Sequence, residues 1–245
     1  MGIVRNGGPK GIFGNPEDVY GRKRWFGPQQ FDGPQQHEDF LGVALDARWG
    51  TGADTGCTAA ISAAQGGVLL LSTDGTDDDR VHVFGELNWY PNKEILFETR
   101  LKVDNIAGVH VVAGLTDAKG EGSQLLPVEL AGTTWTTTAT DFIGFNFDTD
   151  ATTDVWYGMG VAADTDKTAV QSTSAWANAT YIKLGVLVQS DGASSFLIDD
   201  VPVGRIAAPA STIATALCPF VGLQNRSASA RALSVDYIYV AGKRS

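Results

Sequence analysis

The side chains best placed to do chemistry are two glutamates on one stretch. Glu94 and Glu98 fall in EILFETRLKV, where Ile95, Phe97, Thr99, Leu101 and Val103 alternate with Leu96, Glu98, Arg100 and Lys102. That period of two marks a half-buried strand. Paired carboxylates suggest glycoside hydrolysis, and a retaining pair has its carboxyl groups about 5–5.5 Å apart. Four residues of strand at about 3.3 Å each separate these two by about 13 Å. Leu96 also stands where an intervening acid would be needed. The spacing is not that of a glycosidase.

Other chemistries fail on similar grounds. The three histidines, His37, His82 and His110, form no H-x-x-x-H pair, and none sits at ligand spacing from a cysteine, so zinc is not expected. His82 and His110 read as partly buried structural residues of strands. The runs STDGTDDDR and NFDTDATTD gather Asp74, Asp77, Asp78 and Asp79, then Asp148, Asp150 and Asp154. They offer oxygen ligands for calcium but lack EF-hand spacing, and they read as solvated loop tips. GTGADTG lacks the lysine and strand-to-helix setting of a phosphate loop. No catalytic residue, metal or cofactor is assigned. Cys57 and Cys218 read as buried free thiols.

The elements that would position these residues are short β runs separated by turn residues. GGVLLLST is a continuous apolar run, suited to a strand covered on both faces. VHVVAGL, FIGFNF, VWYGMGVA, YIKLGVLVQS, SSFLID and PFVGL continue the series. In ALSVDYIYV, Leu233, Val235, Tyr237 and Tyr239 alternate and are expected on one face. SSFLIDDVPVGRI predicts a hairpin turning at Asp199 and Asp200, residues that tolerate tight-turn backbone. PASTIATAL gives at most a short helix. About ten such runs predict an antiparallel sandwich or barrel.

Residues 1–40 differ. They hold eight of the 29 glycines and four of the nine prolines, a density that disfavours helix and ladder alike. The expected organisation is an extended arm over 1–40 and a β-sandwich over 41–245. Charge divides the same way: the chain carries −10, yet residues 1–30 alone carry +3. An acidic body repels phosphates, which excludes nucleic acid and anionic membranes as partners over most of the surface. There is no signal-peptide pattern and no apolar run of transmembrane length.

Several of these strands together carry a family resemblance. ILFETRLKV, VVAGLTDA, FIGFNFDTD, YIKLGVLVQSDGASSFLIDDVPVGRI and FVGLQNRSASARALSVDYIYV resemble concanavalin A-like (laminin-G-like) jelly rolls over residues 41–241. LDARWGTG, FETRLKV, GLTDA, FLIDDVPVG and VDYIYV are similar to structural proteins of tailed bacteriophages. The resemblance implies a non-enzymatic virion protein that decorates or cements the capsid. It would be made in the host cytoplasm, carried on the capsid surface, bound to the major capsid protein and oligomeric there.

Two alternatives share the fold. One is a carbohydrate-binding, lectin-like module for host attachment, with a glycan as partner. For that reading, NWYP (Asn88–Pro91) and TTWTTT are the aromatic stretches to inspect for exposure. The other is a polysaccharide lyase. YIKLGVLVQS resembles the lyase Y-x-K-x-G-x-Y-x-Q strand through Tyr181, Lys183, Gly185 and Gln189. Leu187, however, replaces the second tyrosine, and neither His82 nor His110 follows the required glutamine.

With the sandwich failing each catalytic test, the arm becomes the candidate for partner binding. Arg22, Lys23 and Arg24 form a compact positive cluster, and Trp25, Phe26, Phe31 and Phe40 are bulky anchors of the kind found at interfaces. Removing 1–40 is expected to abolish attachment and leave a folded sandwich.

Overall fold

The computed structural model describes residues 33–62, 67–120, 125–131 and 134–243. Two antiparallel eight-stranded sheets face each other and enclose one core. The first sheet runs in the order β16 (Val201–Ile206), β15 (Ser194–Ile198), β14 (Ile182–Val188), β6 (Ile95–Val103), β18 (Ala232–Gly242), β4 (Val68–Ser72) and β3 (Thr58–Ser62), with β1 (Gln35–Glu38) also on β18. The second runs β12 (Thr165–Asp166), β11 (Trp156–Ala162), β10 (Phe142–Asp148), β7 (Val109–Thr116), β17 (Cys218–Asn225), β5 (Arg80–Phe84) and β2 (Gly50–Ala53), with β13 (Val170–Gln171) on β11. A small hairpin, β8 (Val128–Ala131) and β9 (Thr134–Thr137), lies in the connection from β7 to β10. The expected jelly-roll sandwich is the observed fold.

Alternation explains the layering. Phe97, Leu101, Val186, Leu233, Val235, Ile238 and Val240 of the first sheet meet Val111, Ala113, Phe145, Phe147, Val221 and Leu223 of the second. The other face of the second sheet is also covered. Leu126, Val128 and Ala139 of the β7–β10 connection pack on Phe84, Val112, Phe142, Met159, Val161 and Phe220. Hence β7, β10 and β17 are buried at every position. The doubly covered strands lie there rather than in GGVLLLST. β4 alternates, with Leu69 and Leu71 buried and Val68 and Leu70 only half-buried.

The β15–β16 hairpin turns as expected at Asp199 and Asp200, with φ of 49° and 67°. Two consecutive positive φ values match the right-handed twist of the flanking strands. PASTIATAL forms no helix; a single 3-10 turn, Pro91–Lys93, is the only helical element among the described residues.

The segment expected to be arm as far as Phe40 enters the sandwich before it ends. Gln35 to Glu38 pair with Ala241 to Ile238, beyond the point where β4 leaves the same edge of β18 at Val235. Phe40, read from sequence as an interface anchor, is instead fully buried in the core. Its backbone is left-handed (φ 55°), and Gly67 lies against the carbonyls of Asp39 and Phe40 so closely that any Cβ there would collide. Removing 1–40 therefore takes away part of the fold. Arg22, Lys23, Arg24, Trp25, Phe26 and Phe31, the residues expected to bind a partner, lie outside the described residues.

Candidate functional site

The outward face of the first sheet collects the polar groups that the core excludes. Pairing of β6 with β14 sets Glu98 opposite Gly185, Arg100 opposite Lys183 and Leu96 opposite Leu187. Pairing with β18 sets Tyr239 opposite Glu98, Tyr237 opposite Arg100 and Ala241 opposite Leu96. β1 adds His37 opposite Tyr239. The result is a polar row, His37–Tyr239–Glu98–Gly185, beside an aliphatic row, Ala241–Leu96–Leu187.

Tyr237 and Tyr239 reach this face because β18 is bulged. The register against β6 shifts between Val235 and Tyr237, leaving Asp236 as the extra residue. A one-residue insertion reverses the facing of everything beyond it. Leu233 and Val235 face the core; after the bulge Ile238 and Val240 do so, and the tyrosines turn outward. The expectation that all four alternating residues share a face is corrected here. The signal is present in the sequence: the core-facing spacing in LSVDYIYV runs two, then three, then two.

Glu98 is the electrostatic centre of the face. Its Oε1 accepts a 2.5 Å hydrogen bond from the Tyr237 hydroxyl, and its Oε2 lies 3.9 Å from Lys183 Nζ. Burial raises the Glu98 carboxyl above its ordinary value, against the opposing pull of Tyr237 and Lys183. Burial, reinforced by the Glu98 charge, raises the Tyr237 hydroxyl and pushes Tyr239 up to about 12. Lys183 Nζ also lies 2.6 Å from Asp200 Oδ1, so the hairpin turn supplies part of the site. Arg100 pairs with Asp236, the bulge residue, at 2.8 Å and stands 4.1 Å above the Tyr181 ring.

Glu94 takes no part. It precedes β6 with φ of 51° and pairs with Lys243 at 2.6 Å. The two glutamates do not act as a pair, and Glu98 meets a tyrosine and a lysine rather than a second carboxylate. Tyr181, Lys183, Gly185, Glu98 and Arg100 do gather on one face, as the lyase-like strands imply. The tyrosine position of that motif is Leu187, packed with Leu96 and Tyr239.

His82 and His110 belong to the second sheet, and both are completely buried rather than partly so. His110 Nδ1 is 2.8 Å from Gln224 Oε1, and Nε2 is 2.7 Å from Asn146 Oδ1. Burial lowers the His110 imidazole and holds it neutral. Beside it, Arg226 binds Asp148 through Nη2 (2.8 Å) and Nε (3.1 Å), and Asp78 through Nη1 (3.0 Å). The two acidic runs thus converge on one guanidinium. Asp148, expected at a solvated tip, is fully buried.

Among the described residues, the tryptophans are mostly structural. Trp49, Trp89, Trp156 and Trp176 are buried, whereas Trp135 of TTWTTT is half-buried and packs edge-on against Tyr157 at 5.3 Å. In NWYP, Tyr90 is the exposed ring.

Comparison with known proteins agrees with this fold. No protein-family model matches the chain, and no curated protein resembles it in sequence closely enough to count as a relative. Among solved structures, the Bacillus licheniformis β-glucanase is similar over 87% of this chain and 100% of its own, at TM-score 0.59 and 14% identity. The carbohydrate recognition domain of Emp47p is similar over 86% and 95%, at TM-score 0.59 and 8% identity. A protein of unknown function from Shewanella oneidensis MR-1 covers 85% and 86%, at TM-score 0.59 and 14% identity. The chain has a concanavalin A-like jelly-roll sandwich fold of the kind found in lectins and glucanases.

Proposed function

We propose that this protein is a carbohydrate-binding module and that its saccharide seats on the outward face of the first sheet. A pyranose presents C–H faces and a rim of hydroxyls, so its site needs apolar surface beside hydrogen-bonding groups. The face supplies both: the half-buried Leu187, backed by the buried Leu96 and Ala241, next to Tyr239, Tyr237, Glu98 and Lys183. The observation that carries the reading is the bulge at Asp236, which places two tyrosines beside a half-buried carboxylate on an outer face. The fold's similarity to a carbohydrate recognition domain and to glucanases supports it.

Binding without turnover is the reading favoured by the chemistry of Glu98. Hydrolysis by the usual route needs two carboxyl groups flanking one bond, and the neighbours of Glu98 are a phenol and an ammonium. The capsid-decoration expectation rests on Arg22, Lys23, Arg24, Trp25, Phe26 and Phe31 and on sequence similarity alone. The test is a printed array of neutral and acidic oligosaccharides. Saturable binding that is lost in Lys183→Ala and Tyr237→Phe supports the proposal. Absence of binding, or binding indifferent to both substitutions, overturns it.

A further inference from the structure

Among the described residues, Tyr239 carries a buried aromatic hydroxyl on this face that has no partner. The residue is only 8% exposed, its hydroxyl is shielded from solvent, and it makes no hydrogen bond. Its neighbour Tyr237, turned outward by the same bulge, is satisfied by Glu98. A buried polar atom left unpaired forfeits its hydration and gains nothing in return, so such groups call for an explanation.

The surroundings point to a ligand. His37, directly across the β1–β18 pair, is exposed and forms no hydrogen bond within the described residues. Its ring centroid lies 6.1 Å from both Tyr237 and Tyr239, so it leans over the tyrosine pair. An exposed side chain changes rotamer within nanoseconds, so His37 is free to move off the tyrosine pair. On the other side of Glu98 stands Gly185. A Cβ there would make only ordinary contact with Leu197, at 3.6 Å, so packing does not demand glycine. Its missing side chain leaves room for a methyl group beside Leu197.

Building on the carbohydrate-binding reading, we propose that Tyr239 and His37 form the hydrogen-bonding end of the site and that they engage adjacent hydroxyls of a neutral hexose. Glu98 accepts from the same sugar, whose C–H face lies over Leu187. Neutrality follows from the charges present. Arg100 is engaged by Asp236, and Lys183 by Asp200 and Glu98, so the cations near the row already face carboxylates. A uronate would bring a second negative charge against Glu98.

The experiment titrates the full chain with mixed-linkage β-1,3-1,4-gluco-oligosaccharides, mannotriose and an oligouronate, and follows thermal unfolding of each variant. Tyr239→Phe removes one oxygen, so the expected result is affinity for the neutral probe about tenfold weaker, the scale of one lost hydrogen bond, with a Tm unchanged or higher. His37→Ala is expected to weaken the same probe and leave Tm unchanged. Wild-type binding that Tyr239→Phe leaves intact overturns this inference alone, and so does a Tyr239→Phe variant that loses affinity and Tm together. Preference for the oligouronate overturns the neutral-sugar assignment. A wild-type chain that binds none of the probes sinks the carbohydrate reading and this inference with it.

Discussion

The Tyr237 hydroxyl donates a 2.5 Å hydrogen bond to Glu98 Oε1 across the β18–β6 pair, on a face the tyrosine reaches only because Asp236 is an extra residue in β18. This bond joins the central strand of the first sheet to the strand that closes the fold. It also ties down a carboxyl group that burial raises above its ordinary value.

A raised carboxyl pKa means that the folded state holds its proton better than the unfolded chain does. The charged form is then a liability, and stability falls as pH rises from the ordinary glutamate range toward the folded value. Glu98→Gln keeps the shape and discards the charge. At pH 7.5 its Tm should exceed the wild type's by about 2–4 °C, the shift that roughly 1 kcal/mol gives in a chain of this size. The gap should close near pH 4. A variant less stable than wild type at both pH values would show that the Tyr237 and Lys183 contacts outweigh desolvation.

His82 gives the opposite pH dependence. It is fully buried, and burial pushes its imidazole down to about 4, against the opposing pull of the Asp54 charge and of the Gly120 backbone. Its stacking on Phe220 at 5.0 Å suits a neutral ring. Because the folded value lies below the unfolded one, its contribution is complete above about pH 6.5 and is lost as pH falls toward 4. Full protonation costs about 3 kcal/mol on that span, since each pKa unit is worth about 1.4 kcal/mol. Urea unfolding of His82→Leu between pH 7 and 4.5 should show a flatter profile, with the remaining slope owed to His110 and the carboxylates.

Arg226 holds a completely buried carboxylate. Replacing it by alanine leaves Asp148 charged and unpaired in the interior, a change that costs about 3–5 kcal/mol. The double variant Arg226→Met with Asp148→Leu removes both charges and should recover much of that loss. If the double variant is as unstable as the single, the Arg226 contacts with Asp78 and Asp150, rather than the Asp148 charge, set the penalty.

Phe40 separates two truncations. A chain beginning at Gly33 retains β1 and the buried ring, and it should unfold cooperatively. One beginning at Leu41 loses both. Phe40→Ala in the full chain isolates the ring and should cost about 3–5 kcal/mol, as for other buried aromatics. Circular dichroism melts of the three chains decide the matter, and equal midpoints for all would refute the placement of Phe40 in the core.

Period-two alternation was enough to read β6 and its two faces, and the Asp-Asp dipeptide was enough to read the β15–β16 turn, because both are set by neighbours in sequence. The sandwich follows from the same signals. Other features depend on long-range partners. GGVLLLST looks like a doubly covered strand, yet the β7–β10 connection covers the other sheet, leaving Val68 and Leu70 half-buried. Asp78 and Asp148 read as separate loop tips until β17 ends beside both and Arg226 joins them. Phe40 has no apolar periodicity around it, so its place in the core depends on β1 finding the free edge of β18.

The candidate site divides along the same line. Sequence by itself determined that Glu98 and Arg100 share the face opposite Phe97 and Leu101, since strand parity is a local property. Only the tertiary structure decided that Tyr237, Tyr239 and His37 join them. Asp236 bulges because Val235 and Tyr237 must pair with Leu101 and Arg100, adjacent residues of another strand, and that register exists only once the sheet has formed.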